Sequence, residues 1–257
     1  MSEQQLINLE EISAQFESAS AQTILRWAIE TYRDKLTMAT AFGAEGCCLL
    51  HMIAQIRDET GLAPDIFNLE TGYQFPQTLA LRERIQKKYA LNVRMVSAPE
   101  TAQEMEARLG GPIYKTNPDL CCHMRKVVPL RGAVEGFEAW ITAIRREQTP
   151  ERAVTAIVGP DPKFDFLTKI SPLANWTQQQ VWDYIRENDV PYNPLHDQGF
   201  PSIGCWPCTR AVKSGEDERA GRWAGQEKRE CGLHLGENAK LDDVKLERLS
   251  RPIAIAA

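Results

Sequence analysis

The sequence predicts an α/β protein built on a largely parallel β-sheet. Three observations indicate this class. Short apolar runs alternate with helical patterns along most of the chain, two of these strand–helix units turn on glycine, and 43% of the 257 residues are hydrophobic, enough for a substantial core. Because parallel sheets bind ligands at the carboxyl ends of their strands, the glycine turns at residues 43 and 72 mark the expected ligand side.

The first elements are two helices followed by a strand–turn–helix unit. Residues 5–33 carry apolar side chains at helical spacing, which predicts two amphipathic helices. The apolar run 36–41 predicts a buried strand, which leads through the glycine turn 42–46 into a helix at 47–56. This geometry aims backbone N–H groups at a phosphate, although the turn is neither a GxGxxG nor a Walker A sequence.

The later elements repeat the alternation of strands and helices. A strand at 66–69 turns at 70–72 into a helix at 76–89, where Pro76 suits the first helical turn. The remaining predicted elements are a strand at 91–96, helices at 100–109 and 122–135, strands at 139–143, 153–158 and 166–170, and a helix at 178–188. We assign residues 1–210 to one α/β domain that binds nucleotide and metal, with the N-terminal helices at 1–33.

The composition narrows the classes of partner and compartment. A formal net charge of −5 leaves no global basic field, so nucleic acid is not an expected partner. No apolar run reaches about 18 residues, and the first residues lack a secretory signal, so neither a membrane span nor secretion is expected. Seven cysteines, an odd number, favour reduced thiols and metal ligands over disulfides. We therefore expect a cytoplasmic protein, with an organelle-processed chain as the alternative.

Four cysteines form two groups, the adjacent pair Cys121 and Cys122 and the CxxC motif of Cys205 and Cys208. A CxxC alone is typical of a redox dithiol or half of a zinc site, and the adjacent pair alone would suit buried packing. Sequence neighbours rarely both bind one tetrahedral zinc ion, because the chelate ring is strained. In an iron–sulfur cubane each thiolate binds a different iron, so the pattern favours a [4Fe–4S] cluster over zinc.

The composition changes after the CxxC motif. Residues 213–230 are almost wholly charged or small, and only Trp223 could anchor them, so residues 211–257 are predicted to form a flexible tail. This tail carries Cys231, which core packing does not explain. With Lys228 and His234 nearby its thiolate is favoured, which makes it the best candidate nucleophile of the chain.

Several sequence blocks together resemble the sulfonucleotide (PAPS) reductases, and in particular the iron–sulfur assimilatory adenylyl-sulfate reductases. The marks are the CC…CxxC pattern and the ECGLH sequence at 230–234, and the resemblance extends from residue 36 to 235. It implies a Rossmann-like fold of the adenine-nucleotide α-hydrolase type. The blocks are NLETGYQFPQT at 68–78, CCHMRKVVPL at 121–130, AWITAIRREQTP at 139–150, KISPLANWTQQQVWDYI at 169–185, GCWPCTRAV at 204–212 and RECGLHL at 229–235.

The resemblance implies a reaction in two halves. Cys231 would attack the sulfur of adenosine 5′-phosphosulfate, releasing AMP and leaving an S-sulfocysteine. Thioredoxin or glutaredoxin would then reduce that intermediate and free sulfite for cysteine biosynthesis. The implied cofactor is a [4Fe–4S] cluster, and a homo-oligomer is expected. Reduction of the 3′-phosphorylated nucleotide, alone or as a second activity, is the alternative within the family.

The resemblance also assigns roles to individual residues. Cys231 would be the nucleophile, Lys126 would couple the cluster to the substrate, and His234 would orient or protonate near the nucleophile. Cluster ligands would be Cys121, Cys122, Cys205 and Cys208. Substrate contacts would come from Thr40, Phe42, Gly43, Thr71 and Gly72, and from Arg145, Arg146, Arg152, Arg219 and Arg222. The sequence leaves open which arginines of 145–152 point inward, and a solvated charged helix is the alternative for the tail arginines.

Two functions of other classes compete with this interpretation. A redox or nucleotide sensor would use the cluster as a detector, but it would have no need for a nucleophile in a tail. An ATP pyrophosphatase or tRNA-thiolating enzyme of the same fold predicts an SGGxDS-like turn, which residues 41–46 do not supply. In the turn at 70–72, Glu70 stands where the family usually has aspartate, so the reach of that turn is in question.

Overall fold

The structure is a computed structural model that describes residues 3–164, 166–226, 228, 230, 231 and 233. Its described part contains a six-stranded sheet in the order β3-β2-β1-β4-β6-β5, in which only β5 runs antiparallel, against β6. The strands are β1 Leu36–Ala39, β2 Asp65–Glu70, β3 Arg94–Ser97, β4 Ala139–Ile141, β5 Val158–Pro160 and β6 Thr168–Ile170. The predicted α/β class with a mostly parallel, Rossmann-like sheet is confirmed.

Helices fill the connections between the strands. They are α1 Glu3–Gln15, α2 Ala21–Tyr32, α3 Ala44–Thr60, α4 Pro76–Tyr89, α5 Ala102–Leu109, α6 Ile113–Thr116, α7 Pro118–Cys122, α8 Val128–Val134 and α9 Gln178–Glu187. A π-helical turn, His123–Val127, joins α7 to α8. Within the described ranges, no helix combines the length and the apolar character needed to span a membrane.

The central strands β1, β4 and β6 are buried on both faces, as strands inside a parallel sheet are. Successive residues of a strand point to opposite faces, so Ile66 packs into the core that includes α2, α3 and α9, whereas Phe67 packs into a second core. That second core also contains Leu130 of α8 and Trp140 of β4. Two hydrophobic layers therefore hold the strands, and with them the loops that follow each strand, in fixed positions.

Two predicted elements differ from the structure. The strand predicted at 153–158 is wrong, because residues 153–157 form turns and irregular structure, Val154 is 88% exposed and β5 begins only at Val158. The helix predicted at 122–135 is interrupted by the π-helical turn before α8. Pro129 explains this interruption, because proline has no N–H to donate within a regular helix.

Part of the predicted tail is described, and it lies against the α/β domain. The Thr209 and Arg222 backbones form an antiparallel bridge, and the Arg210 N–H donates to the Gly221 carbonyl at 3.0 Å. The predicted anchor is confirmed, because Trp223 is only 3% exposed and its backbone N–H donates to the Cys208 carbonyl at 3.0 Å. The division at residue 210 and the flexibility of the tail stay predictions.

Candidate active site and cysteine chamber

A cavity of about 230 Å³ opens at the carboxyl ends of the central strands. The strand order reverses between β1 and β4, and the loops that follow these two strands supply Thr40 and Thr142 to the cavity wall. Such a reversal leaves a crevice between diverging loops, which is where open α/β sheets bind ligands. We call this cavity the substrate pocket.

The turn between β1 and α3 brings two of its three predicted residues to the pocket. Thr40 and Gly43 line it, whereas the Phe42 side chain is buried in the core, 1% exposed. Phe42 has φ 55°, a left-handed conformation that is rare for a bulky residue, and its N–H donates to the Thr40 hydroxyl at 3.1 Å. The ring thus anchors a tight turn whose polar side faces the pocket.

The turn after β2 links the pocket to one of the four predicted cluster cysteines. Thr71 lines the pocket, and its hydroxyl lies 3.3 Å from the Cys205 sulfur. Gly72 does not line the pocket. Glycine is required there because φ is 78° and because an added Cβ would lie only 2.8 Å from the Ala102 Cβ. The Gly72 N–H donates to the Glu70 carboxylate at 2.7 Å, so the longer side chain of Glu70 still caps its own turn.

The three arginines of the segment 145–152 point in different directions. Arg145 is buried and pairs with Glu45 and Glu147, each at 2.8 Å, beside the pocket rather than in its wall. Arg146 extends away from the pocket to Glu17, with contacts of 2.6 and 2.8 Å. Of the three, the structure brings only Arg152 into the pocket wall.

Four cationic side chains line the pocket: Lys126, Arg152, Arg219 and Arg222. The Arg222 guanidinium stacks on Trp223 with a centroid distance of 4.4 Å. It also fills the space beside Gly204, where an added Cβ would lie 2.2 Å from Arg222 Nη2. The tail arginines therefore have fixed contacts at the pocket, and the alternative of a solvated charged helix does not describe them.

Cys231 also lines the pocket, next to these cations. Burial and the Glu230 carboxylate would raise the pKa of its thiol, but the Lys126 ammonium, a backbone hydrogen bond at Leu233 and Arg222 together lower this pKa below the ordinary value. For Lys126, burial would lower the ammonium pKa, but the sulfurs of Cys205, Cys122 and Cys231 raise it. The pocket thus favours a thiolate at Cys231 and a charged ammonium at Lys126. The predicted residue His234 lies outside the described residues.

A second, smaller cavity is lined by all four predicted cluster ligands, Cys121, Cys122, Cys205 and Cys208; we call it the cysteine chamber. None of the seven cysteines forms a disulfide bond. Within the part of the chain that the structure describes, no three His, Cys, Asp or Glu side chains are grouped to hold a single metal ion. A zinc site would need its ligand atoms about 2.3 Å from one centre. Four thiols that line one cavity instead suit a cubane, where each binds a different iron.

Lys126 lines both cavities, so its side chain forms part of the wall between them. It follows directly from the cysteine pair along the chain, in the π-helical turn. Lys126 therefore lies between the four predicted cluster ligands and the substrate pocket, while its role in coupling the two stays a prediction.

Sequence reasoning missed two charged residues of the site. Glu230 is buried in the pocket wall, and its carboxylate pairs with Arg152 at 2.9 Å and with Arg219 at 3.3 Å. Arg125 is 4% exposed and donates from Nε to the Thr71 carbonyl at 2.8 Å, which fixes the turn after β2. No hydropathy signal marks either residue, although each stands directly beside a predicted functional residue in the sequence.

Comparison with known proteins shows similarity over almost the whole chain. The family model of the phosphoadenosine phosphosulfate reductase domain matches residues 35–211. The adenosine 5′-phosphosulfate reductase of Halalkalibacterium halodurans is 42% identical over 229 residues, which cover 89% of this chain and 97% of that protein. The phosphoadenosine 5′-phosphosulfate reductase of Gloeobacter violaceus is 44% identical, covering 88% and 93%.

A solved structure gives the same result in three dimensions. The phosphoadenylyl-sulfate reductase of Candida auris, crystallised as a phosphate complex, superimposes with a TM-score of 0.70 at 29% identity. The match covers 82% of this chain and 98% of that one.

Proposed function

The chain belongs to the phosphoadenosine phosphosulfate reductase family, and we propose that it reduces adenosine 5′-phosphosulfate to sulfite and AMP in sulfate assimilation. One observation carries the proposal: the Cys231 thiol lines a pocket at the strand crossover together with Lys126 and three arginines. A sensor would have no use for a nucleophile in a nucleotide-sized crevice.

In the first half of the reaction, the Cys231 thiolate attacks the sulfur of the substrate. The new S–S bond forms as the bond between sulfur and the bridging oxygen breaks, and the electron pair leaves on the phosphate of AMP. Lys126, Arg219 and Arg222 face this place and stabilise the charge that collects on the leaving phosphate and the sulfonate. The lowered pKa of Cys231 supplies the nucleophile without a separate base.

In the second half, a dithiol reductant of the thioredoxin or glutaredoxin class regenerates the enzyme. Its first thiolate attacks the Cys231 sulfur, and sulfite leaves with the electron pair. Its second thiol then resolves the mixed disulfide, so the reductant becomes a disulfide and Cys231 a thiol again. The tail would carry Cys231 from the pocket to the reductant, which is the use we propose for the predicted flexibility.

We propose that Cys121, Cys122, Cys205 and Cys208 hold a [4Fe–4S] cluster, supported by the chamber that all four line. When bound, the cluster would supply a fixed charge beside Lys126 rather than the two electrons, which the dithiol already provides. We also propose a cytoplasmic location, because an odd number of cysteines, seven, favours thiols and metal ligands over structural disulfides. A homo-oligomer remains part of the proposal.

The second candidate is reduction of the 3′-phosphorylated nucleotide, alone or in addition. The relative from Gloeobacter violaceus favours it, because that protein is named a phosphoadenosine 5′-phosphosulfate reductase and is 44% identical to this chain. The relative from Halalkalibacterium halodurans, which is named for adenosine 5′-phosphosulfate, is 42% identical. Both substrates use the same nucleophile and sulfur, so the first half of the reaction is common to them.

The test is the intact mass of anaerobically purified, iron-loaded protein after addition of adenosine 5′-phosphosulfate without any thiol. We expect a gain of one SO3, mapped to the Cys231 peptide and discharged by thioredoxin. The variant C231S is the control and should gain nothing. A parallel sample with the 3′-phosphorylated nucleotide compares the two rates. Iron-loaded protein that gains no mass with either nucleotide would contradict the reductase assignment.

A further inference from the structure

Glu230, the residue directly before the proposed nucleophile, forms ion pairs with two of the pocket arginines. Its side chain is 4% exposed, against 11% for Arg152 and 14% for Arg219. The carboxylate accepts from Arg152 Nε at 3.0 Å and from Arg152 Nη2 at 2.9 Å, and Arg219 Nη2 lies 3.3 Å away. A single carboxylate is thus held by two guanidinium groups that face the pocket.

This arrangement is the one that arginine uses to bind a substrate oxyanion. A guanidinium presents two parallel N–H groups, which suit two oxygens of a carboxylate, phosphate or sulfate equally well. Glu230 therefore occupies hydrogen-bond donors that a phosphate or sulfate group would also need. Neither arginine can donate the same N–H groups to Glu230 and to an incoming anion at the same time.

The other carboxylates near the pocket are held differently. Glu45 pairs with Arg145, which lies outside the pocket wall. Glu216, in the same tail, pairs with Arg210 at 2.8 Å and accepts from the Lys213 N–H. Glu230 alone among these three engages pocket-lining arginines, and only one peptide bond separates it from Cys231.

We propose that Glu230 is an internal substitute for the substrate anion, which holds Arg152 and Arg219 in the empty pocket and yields them when an oxyanion binds. The inference rests on the proposed function, because it takes these arginines as substrate contacts. While the pair is intact, Cys231 is kept in the pocket. When an anion takes the arginines, Cys231 loses this restraint and can approach the bound anion, while the bridge at Arg222 and the buried Trp223 keep the tail at the pocket. By reciprocity, removal of the Glu230 charge must strengthen anion binding.

The experiment measures alkylation of Cys231 by iodoacetamide, read on its peptide by mass spectrometry, in anaerobic iron-loaded full-length protein. Inorganic sulfate is the probe, with chloride at equal ionic strength as the reference. We expect sulfate to speed alkylation of the unmodified protein several-fold. In E230Q, alkylation should be fast without sulfate and should not respond to it, whereas E230D, which keeps the carboxylate, should still respond. E216Q is the matched control in the same tail and should behave as the unmodified protein.

A second measurement separates this role from a merely structural one. By calorimetry E230Q should bind AMP roughly tenfold tighter, because an internal competitor of the same charge is gone, while its S-sulfonation rate falls. Weaker AMP binding by E230Q, or no effect of sulfate on the unmodified protein, would overturn the proposal. The sulfate response needs no variant, so it decides the matter even if E230Q does not fold. Absence of AMP binding by the unmodified protein would instead count against the proposed function, which the sulfate response does not presuppose.

Discussion

At the scale of single residues, Lys126 is the cation that lines both cavities. Its ammonium is the first of the groups that lower the pKa of the Cys231 thiol against the opposing effect of burial. A lysine at this place therefore acts on the nucleophile before it acts on the substrate. Its effect on Cys231 can be measured without any nucleotide.

Replacement of Lys126 by methionine should slow S-sulfonation roughly a hundredfold, the usual effect of removing one charge-stabilising donor. The Cys231 pKa is lowered in the folded protein, so loss of the cation must raise it. The pH midpoint of Cys231 alkylation should accordingly move up. K115M, a lysine change on an exposed face of α6, is the control. An unchanged midpoint, or a loss of iron from K126M, would contradict this role.

The sequence predicted residues whose chemistry is unusual for their surroundings. Cys231 and the four cysteines stood out because thiols in polar segments have no packing explanation. Arg145 and Arg146 could not be sorted, because the choice between Glu45, Glu17 and the pocket depends on where distant segments fold. Glu230 had no signal either, since a carboxylate in a charged segment is ordinarily solvated.

At the scale of elements, the short segment 209–223 holds the described part of the tail in place. It uses a backbone bridge to Arg222 and the buried Trp223, and it depends on close packing at Gly221. A Cβ at Gly221 would lie 2.2 Å from the Arg210 carbonyl oxygen, a backbone atom that cannot rotate away. The backbones at residues 210 and 221 can therefore approach this closely only with glycine at position 221.

Replacement of Gly221 by alanine should detach this segment and leave the sheet intact. We expect S-sulfonation to slow roughly a hundredfold, as misplacement of a reacting group commonly does, and trypsin to cleave faster after Lys213 or Arg219. The thermal midpoint of the α/β domain should change little, because its cores do not include residue 221. G132A in α8 is the control, since an added Cβ there meets no atom within 4 Å. Normal activity in G221A would show that the bridge is dispensable.

Element prediction succeeded where burial is continuous and failed where it is not. β1 and α3 have long apolar runs that fix their type, and the structure confirms them. The segment 153–158 has comparable β propensity, but Val154 is exposed and only the last residue enters the edge strand β5. Local propensity could not tell this loop from a strand, because burial is set by neighbours far away in the sequence.

At the scale of the whole molecule, the cysteine chamber and the tail that carries the proposed nucleophile share one wall. Trp223 lines both cavities, and its backbone N–H donates to the carbonyl of Cys208, one of the proposed cluster ligands. Lys228 adds a second link, since it pairs with Asp119 next to the cysteine pair. The loop that would bind iron is thus also the surface on which the tail is docked.

Replacement of Cys208 by serine should therefore have two effects that a purely local site would not couple. We expect loss of iron, because one thiolate ligand of the cluster is gone, and also faster tryptic cleavage of the tail, because the loop at 204–208 loses its fixed shape. S-sulfonation of Cys231 should fall with the docking of the tail. C47A is the matched control: Cys47 is equally a buried thiol but belongs to the core of α3, so iron content and tail cleavage should stay unchanged. Iron loss with an unchanged rate of tail cleavage would show that the docking surface forms without the cluster, and the coupling between chamber and tail would then have to be abandoned.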